Sequence, residues 1–595
     1  MSGWHPVTGQ LLTRWAEQVT PETAWQSYPR PQMTRPDWLN LNGLWDYALL
    51  PRQQLTVEKF DGQILVPFPI ESALSGVKRP LLPQERLWYR RTFHVPPTWQ
   101  GQRILIHFGA VDWEMQVWLN GQMIGTHQGG FIPFSFELTH HLQAGENELL
   151  VAVWDPGDSH WQSRGKQVLH PKSIWYTAVS GIWQTVWLEP VPETCIAGLK
   201  ITPDVDAGLV RLSLRLDGPD PGTILVRVQE AGRTIAQASA DSGGKEFAIS
   251  IPTPRLWSPD SPHLYDLLIE TASDRVESYF GMRKFSLERD ARRRLRLCLN
   301  NQPVFQYGPL DQGYWPDGLY TPPCEEAMRS DLLLIKDLGF NMLRKHVKVE
   351  PARYYYDCDR LGLIVWQDMP NGSNPVGPVL SYLAIMVGIG RRDDRWLRLA
   401  GRSHPASQQD FRRELQEMVD HLHNFACIGM WVPFNEGWGQ FEARAVADWL
   451  KSYDPTRLID HASGWFDQGG RDFKSLHVYF KDLPLLEPED QRALILSEFG
   501  GYSLKVDGHM WNPQVEFGYR KYPDPSSLTD GYVDLIKTQL LPWIEKGLSA
   551  AVYTQTTDVE IEVNGFVTYD RQVAKMDSAQ VRRAHLDLWG NQKNR

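Results

Sequence analysis

Cysteine is scarce in this sequence: Cys195, Cys298, Cys324, Cys358 and Cys427 are five residues in 595, widely spaced and without a CxxC pair. An odd, scattered set excludes a disulfide framework and offers no zinc site, so these thiols read as reduced core residues. Long apolar runs are missing as well. No window of about 18 apolar residues occurs, so no membrane-spanning helix is expected. The opening "MSGWHPVTGQLLTRWAEQ" lacks the apolar segment of about 7 to 15 residues that a secretory signal needs. A cytoplasmic location is expected on these grounds. Basic excess is absent too: a net charge of −10 supplies no field for nucleic acid or an anionic membrane, and neither partner is expected. No internal repeat or low-complexity tract stands out.

What is present is the composition of an ordinary globular protein, 42% hydrophobic and 22% charged. At 595 residues the chain exceeds what one core can fill, so two to four domains are expected. Its 25 tryptophans suit large β-sandwich cores, and indole faces also stack on the C–H faces of sugars.

Three rhythms follow one another. Residues 1–190 carry short alternating or apolar runs such as "RILIHFGA", "EMQVWLNGQMIGT" and "ELLVAVWDP", which read as a jelly-roll β-sandwich. Asn120-Gly121 between two such runs predicts a tight hairpin, because this dipeptide tolerates positive φ. Residues 191–288, with "LVRLSLRLDG", "TILVRVQEAG", "EFAISIP" and "LYDLLIETA", have the spacing of a small immunoglobulin-like β-sandwich. From 289 to 595 strand and helix alternate. Helices are expected at 325–338, 351–361, 411–425, 442–453 and 530–546, the third with Phe411, Leu415, Met418, Val419, Leu422 and Phe425 on one face. Eight apolar strands imply a parallel sheet covered on both faces and closed into a (β/α)8 TIM barrel.

A barrel gathers the C-terminal ends of its strands at one rim. The rim residues are then Arg344 and His346 on the second strand, Asp368 on the third, Asn435 and Glu436 on the fourth, Tyr479 on the sixth and Glu498 on the seventh. Glu436 and Glu498 face each other across that mouth, and two converging carboxylates can cleave a glycosidic bond. A separation of about 5 to 5.5 Å would retain the anomeric configuration. The nucleophile must stay ionised, and Arg344 is the cation that would lower the pKa of Glu498. Glu436 then needs a drier place, so that it is protonated at rest. Tyr479 can donate to Glu498 and Asn435 to a sugar hydroxyl. Trp438, two residues past Glu436, offers a stacking face, and Asp368, His477, Trp511 or a jelly-roll loop can discriminate between sugars. His421 and His423 are two apart on a helix and cannot share a metal.

The stretches "FGAVDWEMQVWLNGQMIGTHQGGFIPFSFEL", "YFGMRKF", "IKDLGFNMLRKH", "WVPFNEGWG", "LSEFGG" and "AVYTQTTDVEIEVNGFVTYDR" resemble, in order, glycoside hydrolase family 2. This is the family of β-galactosidases, β-glucuronidases and β-mannosidases. The resemblance implies a jelly roll, an Ig-like sandwich and a catalytic TIM barrel working by retaining double displacement. It places the acid/base on Glu436, the nucleophile on Glu498, and family rim residues on Arg344, His346 and Tyr479. It also implies that the polar loop at 154–167 can reach the barrel mouth, with Asp155 or Asp158 on sugar hydroxyls and Arg164 or Lys166 on an anionic group.

Departures from the family narrow the expectation. "WQDMPNG" stands where the large β-galactosidases carry a metal-site pattern, and no Asn-x-Lys element that reads a uronic acid is evident. No metal and no cofactor are expected. Those β-galactosidases carry further C-terminal domains, whereas this sequence ends about 25 residues past "TYDR". The insertion at 371–396 is long for a strand-to-helix connection and is expected to be a lid, a subunit contact in a homo-oligomer, or packed on its own domains. The expected activity is β-galactosidase-like. α-L-arabinopyranosides, β-glucuronides and β-mannosides are the alternative substrates, and a carbohydrate-binding protein without turnover is the rival of another class.

Overall fold

The computed structural model describes residues 4–8, 11–241, 244–372, 397–398, 400–479, 482 and 491–593. Beyond residue 372 the insertion expected at 371–396 lies outside the described residues. Among those described, no helix is long and apolar enough to cross a membrane.

The first unit is a jelly roll of two antiparallel sheets. Four strands, Leu39–Asn40, Val186–Val191, Arg103–Phe108 and Phe134–Glu137, face six others that include Glu85–His94, Glu146–Trp154 and Glu114–Leu119. Inward positions such as Ile106, Met115, Val117, Leu149 and Val151 are fully buried between the sheets. That is the alternation legible in the sequence. The expected hairpin joins Glu114–Leu119 to Gln122–Gln128, with Asn120 at φ 51° and Gly121 at φ 78°, the paired positive angles of a type I′ turn.

The second unit packs a three-stranded sheet, Cys195–Asp204, Leu209–Asp217 and Glu246–Ser250, against a four-stranded one in an Ig-like sandwich. The expected junction at 288 falls inside a strand: Phe285–Arg289 pairs along its length with Leu295–Leu299. Alternation in "KFSLER" reads the same whether the strand closes the sandwich or opens the barrel. The chain before Leu39 is not purely jelly roll either. Thr13 binds Asp317 through both its amide and its hydroxyl, and Trp25 donates to the Pro322 carbonyl at 2.9 Å. Arg35 ties the two sandwiches together by reaching Asp274 and Glu189.

Eight parallel strands form the third unit: Gln306–Asp311, Met342–Lys345, Ile364–Asp368, Ile428–Val432, Leu458–Ile459, Phe473–Val478, Ala493–Gly500 and Leu548–Thr554. Ladder pairing runs from the fifth strand back through the first to the eighth, seventh and sixth. Between the fifth and sixth the ring is closed by side chains, with Ser475 donating to Asp460 at 2.7 Å and Ile459 N–H to Asp472 at 3.1 Å. The result is a near-closed TIM barrel.

Helices Glu325–Asp337, Ala352–Leu361 and Ala443–Tyr453 lie close to their expected positions. The helix predicted from 411 begins earlier and spans Pro405–Leu422, since proline suits the first helical turn, where no amide partner is needed. Its apolar face is buried as patterned. Phe411 stacks on Phe434 at 5.0 Å between centroids, immediately before Asn435.

This packing generates a stability contrast. Phe411→Ala removes a fully buried ring and is expected to cost about 3–5 kcal/mol, whereas Leu333→Ala on an exposed helix face should stay within about 0.5 kcal/mol. Urea midpoints of the two variants measure the difference, and equal shifts would contradict the assigned faces.

Candidate active site

The rim residues converge on Arg344. Its guanidinium is fully buried and forks onto Asp368 with two bonds of 2.9 Å. It also donates to Asn435 Oδ1 at 2.8 Å, to Glu498 Oε1 at 3.0 Å and to the Ser497 carbonyl at 3.1 Å. Four strands are thereby linked through one planar cation, a geometry that an ammonium group could not reproduce.

Glu436 is delivered by a tight bend after the fourth strand. Its own φ is 51° and that of Gly437 is 76°, a left-handed conformation that costs an ordinary residue about 1–2 kcal/mol. The bend is held by the Glu436 amide on the Ser463 carbonyl at 2.9 Å. Glu436 is 7% exposed and Glu498 5%.

His477 sits between the two acids. Its Nδ1 is 2.9 Å from Glu436 Oε1 and 3.7 Å from Glu498 Oε2, while its Nε2 meets Ser463 Oγ at 3.0 Å. The ligand atoms of Glu436, His477 and Glu498 all lie within 4.8 Å of one another. Among the described residues this is the one group whose spacing suits a metal ion, but Glu498 is already paired with a permanent cation in Arg344. One oxygen of each carboxylate therefore lies within 4.8 Å of the other, so the two acids share one small space at the mouth.

Burial pushes the Glu498 carboxyl up, but the charges of His477 and Arg344 outweigh it and hold the group down at about 2. Tyr479 donates its hydroxyl to Glu498 Oε2 and meets Thr554 Oγ1 at 2.9 Å. Burial and the adjacent Glu498 charge hold that phenol well above its usual range, so it stays a donor. His346 is brought to the same cluster by Asp368 at 2.7 Å, and burial followed by the Lys166 charge keeps its imidazole neutral.

Three residues expected to touch substrate are buried away from the two acids. Asp368 is fully buried behind Arg344, with one oxygen on Arg344 Nε and the other shared by Arg344 Nη2 and His346. It positions those two side chains and has no face toward the mouth. Asp155 turns inward, accepting from Ser180 Oγ at 2.6 Å and from the Gly157 amide at 2.8 Å. Arg164 is also buried, where the charges of Asp158, Asp155 and Asp112 bear on it.

Trp438 is half-buried at the mouth and packs on Trp175 at 4.8 Å between centroids. Tyr519 stacks on Tyr479 at 3.9 Å. Ser463, Trp175 and Tyr519 escape a reading of the sequence because each comes from a loop, where no periodicity reports position.

The chain matches three family models in order. Residues 39–192 match the sugar binding domain of the glycosyl hydrolases family 2, residues 194–283 the model named for the family itself, and residues 324–580 its TIM barrel domain. Curated relatives include a β-galactosidase of Enterobacter cloacae, 26% identical over 585 residues and covering 86% of this chain and 53% of that protein. Another is the β-galactosidase of Pseudoalteromonas haloplanktis, 24% identical over 581 residues, with 86% and 51% covered. The chain thus spans about half the length of these relatives. Among solved structures, a β-D-glucuronidase of Dictyoglomus thermophilum superposes with a TM-score of 0.73 at 17% identity, covering 94% of this chain and 98% of the other. The Ruminococcus gnavus β-glucuronidase gives 0.72 at 17%, with 95% and 100% covered. At that identity the structural likeness speaks to the fold. The three models, laid end to end over both sandwiches and the barrel, show that the chain belongs to glycoside hydrolase family 2.

Proposed function

We propose that this protein is a retaining β-glycosidase that removes a terminal β-linked sugar by double displacement, with Glu498 as nucleophile and Glu436 as acid/base. The observation that carries the reading is the pair of carboxylates whose oxygens approach within 4.8 Å, one of them locked to Arg344. Glu498 attacks the anomeric carbon while Glu436 protonates the departing oxygen. Glu436 then takes a proton from the water that opens the glycosyl-enzyme. His477 touches Glu436 in a contact that is satisfied whichever partner carries the proton, which suits a group that changes protonation state twice per cycle. The low exposure of both acids favours a closed pocket for a chain end over a cleft for a running polymer.

Asn435 fits the reading. Its Oδ1 is fixed by Arg344, and its buried Nδ2 has no partner among the described residues, so the amide is left to donate to a sugar hydroxyl beside the reacting carbon. The β-galactosidase relatives support a galactoside as the substrate. A cytoplasmic location completes the proposal.

Glu498→Ala is expected to lose on the order of 10⁴-fold in kcat on every glycoside. Glu436→Ala should lose about 10²- to 10⁴-fold on poor leaving groups yet keep turning over 2,4-dinitrophenyl glycosides, with azide restoring rate and yielding the β-glycosyl azide. Full activity in either variant would refute the assignment. Asn435→Ala should lower kcat/KM by about 10- to 100-fold, and by less on a 2-deoxy glycoside.

The ionisation of Glu498 makes a pH prediction. Its carboxyl stays charged as pH falls until about 2, so it does not limit activity in mildly acidic solution. Arg344→Gln removes one of the two largest opposing charges while burial and the His477 charge remain, so the carboxyl rises from its lowered position. The acid limb of the kcat/KM profile should then move to higher pH. A limb that stays in place would show that Arg344 does not hold the charge.

A further inference from the structure

The loop between the jelly-roll strands Glu146–Trp154 and Tyr176–Thr177 brings one more cation to the mouth. Lys166 is 5% exposed, and among the described residues its ammonium has neither a hydrogen bond nor an ion pair. Its Nζ lies 5.8 Å above the ring of Trp438 and 5.5 Å above that of Tyr176. Trp438 is two residues past Glu436, and its ring is 6.3 Å from that of His346. The lysine therefore stands between the exits of the second and fourth barrel strands, on the side where the acid/base is delivered.

Its position is built rather than incidental. The Lys166 carbonyl accepts the Tyr176 amide at 2.9 Å. Next to it, Gln167 donates to Asp112 at 2.8 Å and accepts from the Gly165 amide at 2.9 Å and from Tyr320 at 3.1 Å. Gly165 lies so close to the barrel that a Cβ there would come within 2.6 Å of the Val347 carbonyl, and Val347 directly follows His346. The backbone on both sides of the lysine is thus anchored, and the loop is clamped to the second strand's exit.

A buried ammonium without a partner is costly, because desolvation is not repaid by a pairing charge. The ring faces supply only part of the compensation. Elsewhere in the interior, lysines are paired: Lys345 holds Asp311 and Glu350, and Lys575 holds Asp558. Lys166 alone of these is left for an occupant of the mouth.

We propose that Lys166 is a specificity-determining residue that pairs with an anionic substituent, a carboxylate or a sulfate ester, on the sugar held between Glu436 and Glu498. This rests on the hydrolase reading for the position of the sugar, so the test reads binding rather than turnover. Glu498→Gln and the double variants Glu498→Gln/Lys166→Gln and Glu498→Gln/Lys166→Arg are titrated calorimetrically with galactose, galacturonate, glucuronate and galactose 6-sulfate. The Glu498→Gln protein is expected to bind at least one of the three acids more tightly than galactose. Lys166→Gln should then erase about 10- to 100-fold of that preference, the worth of a hydrogen bond to a charged group, and Lys166→Arg should restore part of it. Preference for a uronate over the sulfate, or the reverse, identifies the anion. Binding of galactose alone, a parallel loss for acid and neutral sugar, or no binding of any of the four would overturn the proposal. Such a result leaves the hydrolase reading standing wherever the wild-type protein still cleaves neutral β-glycosides.

Discussion

The geometry of the mouth depends on the Arg344 guanidinium. A planar cation excluded from water must satisfy its N–H groups within the protein, and Arg344 does so on the third, fourth and seventh strands at once. Each partner is fixed in turn. Asp368 is held flat and hands its second oxygen on to His346. Glu498 is kept charged, and the Asn435 amide can point its Nδ2 in only one direction. Moving any one strand end would leave a buried N–H of Arg344 without its acceptor, so the rim behaves as a rigid ring around its occupant.

The barrel was readable because its physics is periodic. A strand buried on both faces is a continuous apolar run, and a polar residue at the end of such a run lands on the rim whatever the loops do. Arg344, Asn435, Glu436, Tyr479 and Glu498 were legible for that reason. His477 was legible only as a polar residue near a strand end, and its place between the two acids follows from the register of the sixth and seventh strands, which sequence does not state. Asp368 shows the opposite failure. Position at a strand end marks a rim residue, but not whether it faces the occupant or stands behind a larger side chain.

What stayed hidden belongs to contacts between units. Thr13 and Trp25 are bound by Asp317 and Pro322, about 300 residues away, and nothing local signals such pairs. The strand Phe285–Arg289 could be assigned to either neighbour on its alternation, and only its partner Leu295–Leu299 decides. The jelly-roll loop is the functional case. Trp175 and Lys166 complete a mouth whose remaining walls come from the barrel, so the sandwich and the barrel form one site.

Two buried cations in that site carry opposite meanings. Arg344 is saturated: every partner it needs is supplied by the chain, and its work is to fix the rim and hold a carboxylate charged. Lys166 is nearly as withdrawn from water but has been given aromatic faces in place of an acid. If its only purpose were to support the Glu498 charge, a second cation would be redundant beside an arginine already bonded to that carboxylate at 3.0 Å. Burying a further ammonium for so small a gain would be a poor use of stability. An unpaired charge held stiffly over the entrance gains its counterpart only when a ligand arrives, and the interaction then discriminates between ligands that carry an anion and those that do not.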